Sequence, residues 1–154
     1  MRTAARFFII ASLVVWIGGI VFFSFVVAPA AFSQLASDSA ARLVRICLNV
    51  LHFTGIVCGV ILLIATWVVK IERVTTLRAI LGLMLLCTII SQFGVTRQIE
   101  KIRANVGGSI QALPPQDAGR AAFDRLHQIS VGLESIVLLA GLGAIAVLAA
   151  DRQQ

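Results

Sequence analysis

The stretch FFIIASLVVWIGGIVFFSFVVAPAAF, residues 7–32, decides the fold. It carries no charged side chain, and a bilayer core about 30 Å thick takes roughly 20 helical residues to cross, so the run suffices to span it as one α-helix. Arg2 and Arg6 stand just before it. A secretory signal peptide is the competing reading, because Ala28-Pro29-Ala30 offers a small-x-small cleavage pattern after a basic start. The apolar run of about 21 residues from Phe7 exceeds the roughly 7–15 of a signal core, and the segment is read as a retained helix.

Three further apolar runs, 48–69, 77–95 and 129–150, repeat the pattern. Four spans and their connections nearly exhaust the 154 residues, so a single domain over 1–154 is expected, with no separate soluble domain inside it. Composition agrees. With 59% hydrophobic and 13% charged residues and a mean hydropathy of +0.99, the chain lies far outside soluble globular usage. The expectation is an all-α, integral membrane antiparallel four-helix bundle.

The connections add detail. Ser37-Asp38-Ser39 supplies N-cap candidates for the second helix. In the third, Val95, Ile99, Ile102 and Val106 keep helical spacing against Arg97, Lys101 and Arg103, which carries that helix roughly 15 Å past the bilayer. Gly107-Gly108 can end it and Pro114-Pro115 can begin the fourth helix, whose early residues Ala118, Ala122 and Leu126 form another apolar stripe. A helical hairpin over 96–128 is therefore expected to project from the membrane.

The formal charge of +6 is spread between the apolar runs, a distribution that serves topology and anionic headgroups; no nucleic-acid partner is expected. Arg2 and Arg6, close against the first span, and the short basic link 70–78 favour cytoplasmic termini. Cys47, Cys58 and Cys87 form no C-x-x-C pair and read as packing residues.

The second and fourth helices of such a bundle enter from the same face, which puts His52 and His127, the two histidines of the chain, on one side. Arg42, Arg45, Asn49 and His52 recur at three- and four-residue spacing, one stripe leading inward, with Gly55 and Gly59 below as a G-x-x-x-G pair. On the fourth helix Asp124, His127, Ser130 and Glu134 form the opposing stripe, with Gly141 farther along. Ser91 and Gln92, near the end of the third span, complete a polar vestibule. Gly18 and Gly19, beside Trp16, suit close helix packing.

Imidazole ligates transition metals and haem iron, so His52 and His127 are candidate ligands; the alternative is local hydrogen bonding at the headgroup boundary. Glu134 is the sharpest residue, because a carboxyl inside the bilayer is costly unless paired, wet or protonated. It is read either as a metal ligand or proton carrier, or as an interhelical bond to His52, Gln92 or Arg97. His127 and Glu134 lie about 10 Å apart along the axis, so one ion cannot bind both. No nucleophile elbow, phosphate loop or dinucleotide fingerprint is present, and the chain is not expected to be an enzyme.

Phe123-Asp124-Arg125-Leu126-His127-Gln128-Ile129-Ser130 followed by Val131-Gly132-Leu133-Glu134, together with Trp16-Ile17-Gly18-Gly19, Phe22-Phe23 and Val27-Ala28-Pro29-Ala30-Ala31-Phe32, resembles the family related to transmembrane protein 205. Its bacterial members are classed as a domain of unknown function. The resemblance implies a four-helix membrane protein of the bacterial inner membrane. Glu134 departs from the family pattern, where asparagine is frequent. By analogy of fold the resemblance also points toward four-helix membrane proteins that handle copper or haem.

Three functions follow as expectations. The vestibule binds a metal ion or haem for transport or redox; or the chain is a non-catalytic assembly protein, packing as a homo-oligomer or on a membrane partner through its glycine faces and hairpin; or it is a proton-coupled small-molecule exporter working through Glu134.

Overall fold

The computed structural model describes residues 2–69, 71–106, 110 and 113–150. All regular structure among them is helical. The first rod comprises α1 (Arg2–Phe22), a π-helical turn (Phe23–Val27) and α2 (Ala28–Gln34); the second is α3 (Ser37–Ala65). The third joins α4 (Val74–Ile89), a π-helical turn (Ile90–Val95) and α5 (Thr96–Val106), and the fourth is α6 (Ala118–Ala149). All four are long and apolar enough to cross a membrane.

Several helix ends differ from the sequence reading. Ala36, not Ser37, Asp38 or Ser39, is the N-cap of α3, and no side chain caps it; Asp38 instead sits in the first turn, where its charge suits the helix dipole. The fourth rod begins after Asp117 rather than at Pro114-Pro115, because the Asp117 carboxylate accepts from the backbone N–H groups of Gly119 and Arg120. Gly107 and Gly108 lie outside the described residues.

The second rod ends at Ala65, short of Val69. Arg78 explains the stop: its Nε donates to Thr66 Oγ1 at 3.1 Å, its Nη2 donates to the Thr66 carbonyl at 3.0 Å, and its guanidinium stacks 4.0 Å from the Trp67 ring centroid. One cation thus satisfies the helix end and folds the next rod back onto it. Arg78→Ala is expected to cost about 1.5–3 kcal/mol, the range for hydrogen bonds to a charged group, read as a lowered unfolding midpoint in detergent.

The π-helical turns have local causes. Pro29 lacks an N–H and its ring crowds the carbonyl four residues earlier, and the wider turn just before it, where Ala28 N–H reaches back to the Phe23 carbonyl, relieves that clash. In the third rod, the N–H and hydroxyl of Thr96 both donate to the Ser91 carbonyl.

The core is built on Trp16, 1% exposed, which lies over a glycine surface on α3. A Cβ on Gly55 would come within 2.5 Å of Trp16 Nε1, and one on Gly59 within 3.1 Å of both Trp16 Cζ3 and Leu85 Cδ1. Gly19 meets Leu51, and Gly141 meets Ile17 and Met84. Gly18 does not share this role: nothing lies within 4 Å of a Cβ built there, because it sits on the exposed side of α1. Leu62, Leu77, Leu81, Met84 and Val137 fill the centre.

Candidate functional site

A polar network crosses this apolar core. Asn49 and His52 come from α3, Gln92 from the second π-helical turn and Glu134 from α6. His52 is 1% exposed; its Nδ1 lies 2.8 Å from Gln92 Oε1 and its Nε2 lies 3.3 Å from Glu134 Oε2. Gln92 Nε2 donates to Asn49 Oδ1 at 2.6 Å.

The order of donors fixes the chemistry. Because Gln92 spends its amide N–H on Asn49, its carbonyl oxygen faces His52, and Nδ1 must carry a hydrogen to donate to it. Nε2 is then either a lone pair accepting from a protonated Glu134, or an N–H donating to a carboxylate. A deprotonated carboxylate facing an unprotonated Nε2 sets two acceptors against each other. The contact between His52 and Glu134 therefore requires one proton, held by either partner.

Above this network Arg45 Nη1 donates to Glu100 Oε2 at 2.7 Å, with both side chains about two-fifths exposed. Glu100 escaped the sequence reading: it lies 55 residues from Arg45, and nothing local in the sequence pairs them. Arg42 and Asp124 are exposed, and Ser130 is half-buried. Ser91 is 1% exposed, and its hydroxyl has no hydrogen-bond partner.

His127 does not join His52. It is exposed on α6 and stacks on Phe123, with ring centroids 6.1 Å apart and planes 3° from parallel. Helical rise places it about 10 Å from Glu134, where His52 is engaged. Of the partners expected for Glu134 the structure has His52, while His127, the second candidate ligand, lies apart from that contact. Among the described residues no group of three or more His, Cys, Asp or Glu side chains is disposed to hold a metal ion. The donors present do not fit a transition metal, because Nε2 of the one buried imidazole has only the Glu134 carboxyl beside it, short of a set of three ligands among the described residues. Arg97 is likewise not the partner of Glu134; it stacks 5.2 Å from the Phe93 ring.

Fold and network together define the class: a helical protein with four helices able to cross a membrane and a hydrogen-bonded His–Glu contact inside. The chain belongs to the family described as a domain of unknown function, DUF4149, whose model matches residues 11–107. Asn49, His52 and Gln92 fall within the matched segment, and Glu134 falls beyond it. Neither a curated protein nor a solved structure matches the chain.

Proposed function

We propose that the chain is a proton-coupled small-molecule exporter of the inner membrane, an antiparallel four-span bundle whose third and fourth helices project past the bilayer as a hairpin, with both termini cytoplasmic. The likeness of residues 123–134 to relatives of transmembrane protein 205 supports the same architecture. The observation that carries the function is the 3.3 Å contact of His52 Nε2 with Glu134 Oε2, which joins a buried imidazole to a partly buried carboxyl and is satisfied only with one proton present.

A lone charge costs about 2.5–3.5 kcal/mol at the centre of a membrane helix and less toward its end, where Glu134 stands, and an ionisable residue inside a span marks a functional site by default. The His52–Glu134 pair either holds its proton or presents a free carboxylate to something else. Proton and substrate then exchange, and where protons flow inward, exchange is export.

The test is infrared difference spectroscopy of purified protein between acid and alkaline pH. A carboxyl or imidazolium signal that Glu134→Gln alters and the His52→Gln, Glu134→Gln double variant removes is expected, along with loss of pH-dependent transport in Glu134→Gln proteoliposomes. No protonation signal from the pair would sink the reading.

A further inference from the structure

The surroundings of Glu134 on the other rods identify what it exchanges for its proton. Contacts set the register. Gly141 abuts Ile17 of α1 and Met84 of α4; from there contacts advance along the third rod as they retreat along α6, to Arg103 over Phe123 and Val106 beside Gly119. Seven residues from Gly141, nearly two full turns, bring Glu134 back to the same face, and seven residues on from Ile17 and Met84 bring Ser24 and Ser91 to its level. Both rods pass through their π-helical turns there, since Ser24 lies in Phe23–Val27 and Ser91 in Ile90–Val95. Helices that leave regular geometry beside an intramembrane charge mark binding sites in membrane transporters.

Ser91 supplies an independent observation. Its hydroxyl is buried at the level of the carboxyl and has no hydrogen-bond partner among the described residues, which leaves it able to take one.

At this level the first rod also turns away from α6. The buried residues of the first rod run from Ile9 to Ile20; the π-helical turn contributes none and α2 only Ala31. While α1 packs on both α3 and α6, α2 packs on α3. Past Ile20 the first rod therefore leaves α6 uncovered, and the apolar window of α6 is 17% buried against 33–39% for the other three.

Resting on the proton-carrier reading, we propose that an amphipathic organic cation enters from the bilayer between the Phe23–Gln34 segment and α6 and takes the place of the proton on Glu134. Charge complementarity selects a cation. His52 is the titratable group facing Glu134 from α3, and the third rod brings Ser91 and Gln92 to its level, neither charged; Ser24 of the first rod, also uncharged, stands at the same height but off α6. Beyond these, Arg97 follows Gln92 by five residues on the third rod but is turned onto the Phe93 ring, and the half-exposed Arg45–Glu100 pair and His127, about 10 Å along α6, lie farther off. The bilayer-facing entrance selects an apolar body, because a bare inorganic ion keeps its hydration shell and does not arrive through hydrocarbon. In the exchange the Glu134 carboxyl releases its proton to water, the carboxylate pairs with the cation, and His52 keeps its Nδ1–H on Gln92. One positive charge leaves as one arrives.

The probe is tetraphenylphosphonium, titrated into detergent-purified full-length protein in weakly buffered solution, with heat and pH recorded together. About one proton is expected to be released per cation bound, and, where the pair is protonated, affinity should fall about tenfold for each unit by which the pH is lowered. Glu134→Gln, nearly isosteric, is expected to abolish release and weaken binding at least tenfold. Absence of binding, pH-independent binding without proton release, or undiminished binding in Glu134→Gln would overturn the inference; the wild-type pH series decides even if the variant does not fold. Any of these results beside an intact infrared protonation signal removes the cation and leaves the proton carrier standing. Absence of the signal itself removes both.

Discussion

Replacing His52 with leucine is expected to lower stability by about 1–3 kcal/mol for each polar group it leaves unsatisfied. The size follows from the number of groups left without a partner. Gln92 Oε1 and Glu134 Oε2 both lose their contact in a site where the imidazole is 1% exposed and water cannot readily replace it. Leucine fills much of the volume, so cavity formation adds little. Adding Glu134→Leu to the same chain is expected to restore part of the loss, because the second substitution removes the stranded carboxyl. The two changes should therefore be non-additive by about 0.5–3 kcal/mol. Reversible unfolding in mixed micelles, followed by circular dichroism on the four variants of the cycle, measures this. Additive losses would show that His52 and Glu134 are not coupled.

Gly141→Leu is the second large effect. A Cβ at Gly141 would overlap Ile17 Cδ1 and stand 2.8 Å from Ile17 Cγ1 and 3.2 Å from Met84 Cε, so even alanine forces the neighbours to move. Leucine adds three more carbons where α6 meets both α1 and α4. The expected loss is about 1–3 kcal/mol or more, the cost of overpacking a filled core. Gly143→Leu, two residues away, is the paired control: nothing lies within 4 Å of a Cβ built at Gly143, and its substitution should change the unfolding midpoint little. Equal effects at the two glycines would contradict the packing described for α6.

The helical rods were legible because apolar periodicity and length are properties of neighbouring residues. Residues 7–32 need no partner to read as a helix, and Val95, Ile99, Ile102 and Val106 announced α5 in the same way. Caps were less legible. Ser37 and Pro114 are good starting residues, but the chain geometry on either side decided for Ala36 and Asp117 instead. The π-helical turn before Pro29 had a visible signal in the proline. The one at Ile90–Val95 had none, since it is held by Thr96 on the Ser91 carbonyl.

The candidate site divides along the same line. The stripe of Asn49 and His52, the depth of Glu134 and the presence of Gln92 nearby were readable, because spacing on one helix fixes which residues share a face. Which stripe residues meet was not. His127 looked equivalent to His52, yet it stacks on Phe123 in an exposed position while His52 lies in the core, because the two stripes meet at His52 and Glu134 rather than at the histidines.

By itself, then, the sequence determined that this protein forms four helices long and apolar enough for a membrane, and that the second and fourth carry polar residues along a stripe. Tertiary structure alone decided that Gln92 orients His52, that Glu134 and not His127 completes the contact, and that Arg78 closes the turn after α3. The physical reason is range. Helical periodicity is set by hydrogen bonds four residues apart, whereas the register between rods is set by where Trp16 settles on Gly55 and Gly59 and Ile17 on Gly141, contacts whose partners lie 39 or more residues away along the chain.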